Sequence, residues 1–246
     1  MKSLKDRRTI RLYQKREVDE SVLYEMVEEA MRTSTTGNMQ LYSVIVSSSD
    51  EEKKALAPLH FNQPCVTQAS ALLTICADFN RFTKWCEFRN AQPGYANFLS
   101  FITAATDALI FSQSLSMLAE ERGLGICYLG TVIYNAQGFI DFFNLPQLVV
   151  PVAALTVGYP NVVPPQPDRL PVEAVLHRGK YSDYNKDKID ALYRVKEELR
   201  ENKHFVGENN KETLAQVFTD IRYKKEDNEL FSERYLEAIR RQGFLE

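Results

Sequence analysis

Hydrophobic positions recur at helical spacing in several segments of this chain. Val22, Met26 and Ala30 repeat every three or four residues behind a candidate cap, Asp19, and predict a helix from about 19 to 33. Similar patterns predict helices at 50–57, 136–143, 186–202 and 228–241. The segment 81–96 shows no such pattern and is interpreted as a loop.

Runs of β-branched and apolar residues predict four strands between these helices. They cover 42–46, 71–78, 125–130 and 151–158. The proline-rich segment 160–171 that follows the last of them is interpreted as a stiff loop. Because strands and helices interleave along the chain, the predicted class combines α and β structure.

The longest helical pattern runs from 97 to 122 and ends at Gly123, a residue suited to a left-handed cap. Between Phe98 and Glu120 the only charged residue is Asp107, and small residues are frequent. A helix that is apolar on most sides is buried on most sides. We therefore expect this helix to be central to the fold, to a subunit interface, or to both.

Composition indicates a soluble globular protein. Of 246 residues, 44% are hydrophobic and 26% charged, and the net charge of -3 gives no general attraction to nucleic acid or membrane. The uncharged run 142–167 is interrupted by prolines, so no membrane span is expected there. Four cysteines without CxxC spacing and no visible signal peptide predict reduced thiols and a cytoplasmic location.

Arginines cluster in two distant segments. Residues 1–16 hold seven Lys/Arg against one Asp, and Arg7, Arg8 and Arg11 flank the hydroxyl of Thr9. A second cluster, 167–171, contains Arg169, and a polar loop at 35–40 lies between them in sequence. A single run of this kind is most simply a solvated basic surface. The combination instead predicts a small phosphorylated cofactor, since guanidinium groups bind phosphate oxygens in pairs.

No set of side chains forms a recognisable catalytic motif. The three histidines lack metal spacing, there is no GxSxG elbow, and Gly123, Gly125 and Gly130 do not form a Rossmann fingerprint. The acidic pairs, including Glu120-Glu121, are interpreted as solvated helix faces. Trp85 and its aromatic neighbours indicate a hydrophobic cluster, with a substrate-side lid as the alternative. Such a chain points to a cofactor that performs the chemistry.

These motifs, in this order, resemble the nitroreductase family of FMN-dependent oxidoreductases, and most closely its NADPH-using flavin reductases and oxygen-insensitive nitroreductases. The resemblance covers nearly the whole chain. Its carriers are Arg7 to Arg11, the loop 35–40, Gln63, 76–81, 123–130, 168–171 with His177 and Tyr181, and the tail 235–244. It implies an α+β fold with a central mixed sheet wrapped by helices, and an intertwined homodimer with FMN at the subunit interface. It also implies one domain over 1–246, with a charged helical extension from about 182.

The resemblance also implies roles for individual residues. Those expected to hold the FMN phosphate and ribityl chain are Arg7, Arg8, Thr9, Arg11 and Arg169. Those expected from the partner subunit are Thr35, Thr36, Gly37, Asn38 and Gln40. Gln63 would reach the polar edge of the ring, and Leu129, Gly130 and Thr131 would place backbone donors near N5 and O4. The chain departs from the family pattern at Pro167, where lysine is common, and at Thr131, where glycine is common.

The implied activity is hydride transfer from NAD(P)H through flavin N5 to a nitroaromatic, quinone or flavin acceptor by a ping-pong mechanism. The alternative is an FMN-binding carrier or sensor without NAD(P)H turnover. Lys211 is the one candidate partner for the 2′-phosphate of NADPH. Neither metal nor nucleic acid is expected to bind.

Overall fold

An antiparallel sheet of four strands forms the centre of the fold. This computed structural model describes residues 2–245. The strands are β1 (Tyr42–Ser47), β2 (Ala71–Asp78), β3 (Gly125–Leu129) and β4 (Val149–Gly158), in the order β1-β2-β4-β3. The α+β class is confirmed. A mixed sheet was expected, but every pair of neighbouring strands in the described residues is antiparallel.

Two compact units contain the helices. The first unit extends to Pro165 and resumes at Phe231, and the second is Gln166–Leu230. Helices that begin in the first unit are α1 (Lys2–Asp6), α2 (Glu20–Ala30), α3 (Asp50–Leu56), α4 (Pro64–Gln68), α5 (Asn80–Glu87), α6 (Phe98–Glu121), α7 (Thr131–Tyr134) and α8 (Ala136–Phe143). Helices that begin in the second are α9 (Lys186–Glu198), α10 (Arg200–Glu208), α11 (Leu214–Val217) and α12 (Lys225–Arg241), the last ending in the first unit. Most of the predicted helices are therefore confirmed, but the helix predicted over 186–202 is divided at Leu199 into α9 and α10. Helix α5 occupies the start of the segment interpreted as a loop.

Both faces of the sheet are covered. On one face, Leu73 and Ile75 of β2 pack with Phe111 and Leu115 of α6, and α2 adds Met26 to the same cluster. On the other face, alternate residues of the strands pack with the N-terminal segment and with α4 and α8. Every residue of β2 is buried, as expected for a strand enclosed on both sides.

Helix α6 combines a buried face with an exposed apolar one. It begins at the Asn97 cap and ends before Gly123, whose φ of +74° fits the predicted left-handed cap. Leu99, Ile102 and Leu109 remain exposed on its outer side. Among the described residues α6 alone has the length and composition of a membrane span, but its buried face packs on the sheet as a core helix does. The predicted role in a subunit interface remains a prediction.

Candidate functional site

The N-terminal basic segment is held beside the start of β3. The Ile10 amide donates to the Ile126 carbonyl at 2.9 Å, and Tyr13 forms a bridge with Pro160 farther along. Gly125 permits this approach, because a Cβ at that position would lie 2.6 Å from the Ile10 side chain. Arg7, Arg8 and Arg11 are therefore fixed by their backbone next to β3.

Helix α4 is tied to the same place by a pair of thiols. Cys65 of α4 and Cys127 of β3 lie in one buried cluster, and Cys127 and the nearby Arg11 lower the pKa of Cys65 by favouring its ionised form. Gln63 caps the start of α4, two residues before Cys65. This contact places the start of α4, with Gln63, beside β3.

The residues directly after β3 combine an open position with a rigid one. Gly130 is exposed, and a Cβ built on it meets no atom within 4 Å. Thr131 is buried, and its hydroxyl is hydrogen-bonded to Nδ1 of His60 at 2.6 Å. Burial lowers the pKa of His60 to about 4, so the imidazole is neutral near pH 7. We call the region of Arg7, Arg11, Gln63, Gly130 and Thr131 the β3 site.

The loop 35–40 is attached elsewhere, to Asp107 of α6. Thr35 Oγ1 donates to this carboxylate at 2.5 Å and Thr36 Oγ1 at 2.9 Å, and the Thr36 and Leu41 amides also donate to it. Both threonine hydroxyl protons are thereby used, so these side chains can only accept a hydrogen bond from a ligand. The loop turns through left-handed backbone at Gly37, Asn38 and Gln40.

Within one chain, the predicted cofactor residues form two separate groups. Asp107, which holds the loop, and Glu120, which contacts Arg7, lie thirteen residues apart on α6. At a rise of 1.5 Å per residue, these two carboxylates are about 20 Å apart along the helix, so the loop is remote from Arg7 of its own chain.

The sequence suggested that Glu120 lies on a solvated helix face, but the structure encloses its side chain. Its side chain is 11% exposed and lies 3.8 Å from Nε of Arg7. Burial raises the pKa of Glu120, and Arg7 opposes that rise. Oε2 has no hydrogen-bond partner among the described residues. Glu120 therefore partly neutralises Arg7 at the β3 site.

Arg169 and Lys211 lie in the second unit. The Arg169 side chain is exposed and donates to the carbonyl of Asp168 at 2.8 Å, and the Asp168 carboxylate is paired with Lys196 at 2.9 Å. The guanidinium thus makes no ion pair in the described residues and is available to an anion. Lys211 is paired with Asp220 at 2.8 Å, which weakens its case as the 2′-phosphate partner.

Asp107, His60 and Glu120 were not among the residues expected at the site. For Asp107 the sequence did carry a signal, because a single carboxylate in an otherwise uncharged helix needs buried partners. The histidines had been considered only as metal ligands, for which they lack the spacing. Nothing in the local sequence distinguishes Glu120 from the solvated Glu121.

Both the sequence and the fold of this chain are similar to those of known proteins. The sequence profile described as the Nitroreductase family matches residues 4–159. The chain is 31% identical to the FMN reductase [NAD(P)H] of Bacillus subtilis strain 168, over 99% of this chain and 97% of that protein. It is 31% identical to the oxygen-insensitive NADPH nitroreductase of Salmonella typhimurium, over 76% of this chain and 75% of the relative.

Solved structures agree with this result. A candidate oxidoreductase from Bacteroides fragilis NCTC 9343 superposes with a TM-score of 0.98 at 53% identity, and the match covers 100% of both chains. The match therefore includes both units of the structure.

Proposed function

Because this chain belongs to the nitroreductase family, we propose that it is an FMN-dependent oxidoreductase that uses NAD(P)H. The observation that carries the proposal is the β3 site, where the basic segment, the start of α4 with Gln63 and the open backbone at Gly130 are arranged along one strand. Relatives named as FMN reductase and NADPH nitroreductase support the cofactor and the donor.

The phosphate end of FMN is assigned to the arginines. Arg7, Arg8 and Arg11 provide guanidinium donors and Thr9 adds a hydroxyl. Arg169 is the further cation that the family resemblance implies. Their fit to a phosphate is supported by charge, since Arg8, Arg11 and Arg169 make no ion pair in the described residues. With Pro167 at the usual lysine position, Arg169 carries more of the binding. Arg169→Ala should therefore weaken FMN binding about tenfold or more, measured by fluorescence titration of the apoprotein.

The ring end is assigned to Gln63 and to the backbone of Leu129, Gly130 and Thr131. The first N–H groups of a helix lack partners inside the helix, and α7 begins at Thr131. His60 holds the Thr131 hydroxyl, so this backbone is fixed before any ligand binds. When bound, FMN accepts hydride at N5 from reduced nicotinamide and passes electrons to a nitroaromatic, quinone or flavin acceptor.

A homodimer completes the proposed site. The loop 35–40 is held about 20 Å along α6 from Glu120, which contacts Arg7 of the same chain, and in the proposed dimer it serves the β3 site of a second copy. Its Asn38 and Gln40 side chains and the peptide groups around Gly37 remain for that contact, whereas Thr35 and Thr36 hold the loop through Asp107. The exposed apolar residues of α6 supply a surface for the second copy.

One site that serves donor and acceptor in turn predicts ping-pong kinetics. Anaerobic stopped-flow mixing of the FMN-loaded protein with NADPH or NADH should bleach the flavin absorbance. Steady-state initial velocities, plotted in reciprocal form, should then give parallel lines. If neither nucleotide bleaches the flavin, the reductase proposal fails and an FMN carrier or sensor remains. Intersecting lines would remove the ping-pong order alone.

A further inference from the structure

Three aromatic rings cluster close to the β3 site. The ring of Tyr134 stacks on that of Phe231, with centroids 4.6 Å apart, and Phe61 lies 6.2 and 6.1 Å from these two rings. Phe61 is 51% exposed. We call these three residues the aromatic cluster, and it presents ring surface to solvent.

The backbone holds Phe61 in an uncommon conformation. Phe61 and Asn62 have φ values of +55° and +54°, in the left-handed region that non-glycine residues rarely occupy. The segment before them is anchored, because Asn135 donates to the Leu59 carbonyl at 2.7 Å. Gly138 leaves room for Leu59, since a Cβ there would lie 2.6 Å from its side chain. An anchored backbone conformation, and not a mobile loop, therefore keeps Phe61 exposed.

Connectivity places the aromatic cluster next to the β3 site. Phe61 follows His60, which is bonded to Thr131, and precedes Gln63 by two residues. Tyr134 ends the short helix that Thr131 begins. A cavity of about 470 Å³, lined by Tyr134, Leu59 and residues of α12, adjoins the cluster. Its size suits a small organic molecule.

One unpaired cation lies at the edge of the cluster. The guanidinium carbon of Arg234 lies 6.0 Å from the centroid of the Phe231 ring, and Arg234 lines the cavity. In the described part of the chain it pairs with no carboxylate. Arg240 and Arg241, by contrast, both bond Glu237, at 2.8 and 2.9 Å. Glu233 also lines the cavity and opposes an anion there.

We propose that the aromatic cluster and Arg234 form the acceptor subsite, and that it selects planar aromatic acceptors with an acidic group. The rings stack on the acceptor, and the guanidinium pairs with its carboxylate. The inference rests on the proposed reductase function. In the reaction, one nitro group, one reduced nicotinamide and one proton give a nitroso group, oxidised nicotinamide and water.

The test uses the full chain loaded with FMN and two matched probe pairs. Calorimetric titration of the oxidised protein compares benzoate with benzamide, and kcat/KM compares 4-nitrobenzoate with 4-nitrobenzamide. Arg234→Gln should weaken benzoate binding and lower kcat/KM for 4-nitrobenzoate by about fivefold, the effect of one unit charge near 4 Å in a solvated site. Values for the neutral amides should stay within about twofold of wild type.

Three variants serve as controls. Arg240→Gln removes a paired arginine from the same helix and should change neither probe pair. Glu233→Gln should improve binding of the acid, and Phe61→Leu should weaken acid and amide together by about threefold. The proposal is overturned if Arg234→Gln affects acid and amide equally, if Arg240→Gln has the same effect, or if wild type binds neither probe.

The same experiment separates this inference from the proposed function. If calorimetry gives the expected pattern while neither NADPH nor NADH bleaches the flavin, the binding site for aromatic acids stands, and the reductase function and the acceptor role of that site fail. If the flavin bleaches but acid and amide respond alike to Arg234→Gln, only the subsite fails.

Discussion

Helix α6 carries one carboxylate near its middle and one at its C-terminal end, in opposite situations. Asp107 is 1% exposed and accepts hydrogen bonds from two threonine hydroxyls and two amides. Glu120 is nearly as enclosed but has one distant arginine, at 3.8 Å, and an oxygen without a partner. A fully bonded carboxylate fixes the structure around it, whereas a poorly bonded one stays sensitive to protons and competing charges. The first fits a structural anchor and the second a binding surface.

Removing the anchor should have the largest effect. Asp107→Ala leaves the buried donors of the loop 35–40 unpaired and should lower the free energy of unfolding by about 3 kcal/mol. Urea denaturation followed by circular dichroism measures it. Asp107→Asn, which keeps one acceptor oxygen, should lose less. An Asp107→Ala protein as stable as wild type would show that the hydrogen bonds do not hold the loop.

A glycine substitution at the start of β3 disturbs the segment beside the C-terminal end of α6. In Gly125→Ala the new Cβ would lie 2.6 Å from Ile10, so the basic segment must move away from β3. Overpacking of this kind costs about 2 kcal/mol. Thermal unfolding measures the loss, and FMN affinity should fall as well if Arg7 and Arg11 bind the phosphate. Gly130→Ala is the matched control for stability, because its Cβ meets no atom within 4 Å.

Neutralising Glu120 should stabilise the protein. Glu120→Gln removes an enclosed charge and should raise the free energy of unfolding at pH 7 by about 1 kcal/mol. Burial raises the pKa of Glu120 above its ordinary value of 4.5, so the folded state holds this proton more tightly than the unfolded state. The protonated Glu120 carboxyl makes its full contribution to the free energy of unfolding below pH 4.5, and this contribution is lost as pH rises through the folded pKa.

Urea titrations of wild type and Glu120→Gln between pH 4 and 8 (roughly the range over which carboxyl and imidazole groups titrate) measure this difference. The gap between the two proteins should widen as pH rises. A gap that is independent of pH would assign the effect to packing and not to charge.

An exposed pair near the same end of α6 should have the smallest effect. Glu29 and Arg122 are 2.5 Å apart, with 52% and 25% of their side chains exposed. Solvent screening leaves such pairs worth about 0.5 kcal/mol or less. Glu29→Gln should therefore shift the urea midpoint only slightly. A loss as large as that of Asp107→Ala would mean that burial does not explain the contrast between the carboxylates.

Strong local patterns predicted most of the first unit. The predicted strand 71–78 and helix 136–143 match β2 and α8, since each has clear periodicity and turn residues at its ends. Helices α4 and α7 have five and four residues, too few for any period to appear. Helix α5 was missed because Trp85 and Phe88 remain exposed, so its apolar residues do not mark a buried face.

Long-range contacts limit what sequence says about the site. Arg7 and Gln63 could be selected by motif, but their meeting at β3 depends on Ile10, Cys65 and Cys127, which no local pattern connects. Asp107 is separated in sequence from the loop that it holds. The roles of the predicted cofactor residues remain predictions until FMN binding is measured.

In the proposed dimer, α6 anchors near its middle the loop that serves the partner and contacts at its C-terminal end the basic segment of its own chain, so two defects should complement each other between chains. A subunit with Asp107→Ala retains its own arginines, and one with Arg11→Gln retains a sound loop. In the proposed dimer, each mutant paired with itself has no complete site. A mixed dimer would recover one complete site of its two, so co-expression of two inactive proteins should restore activity.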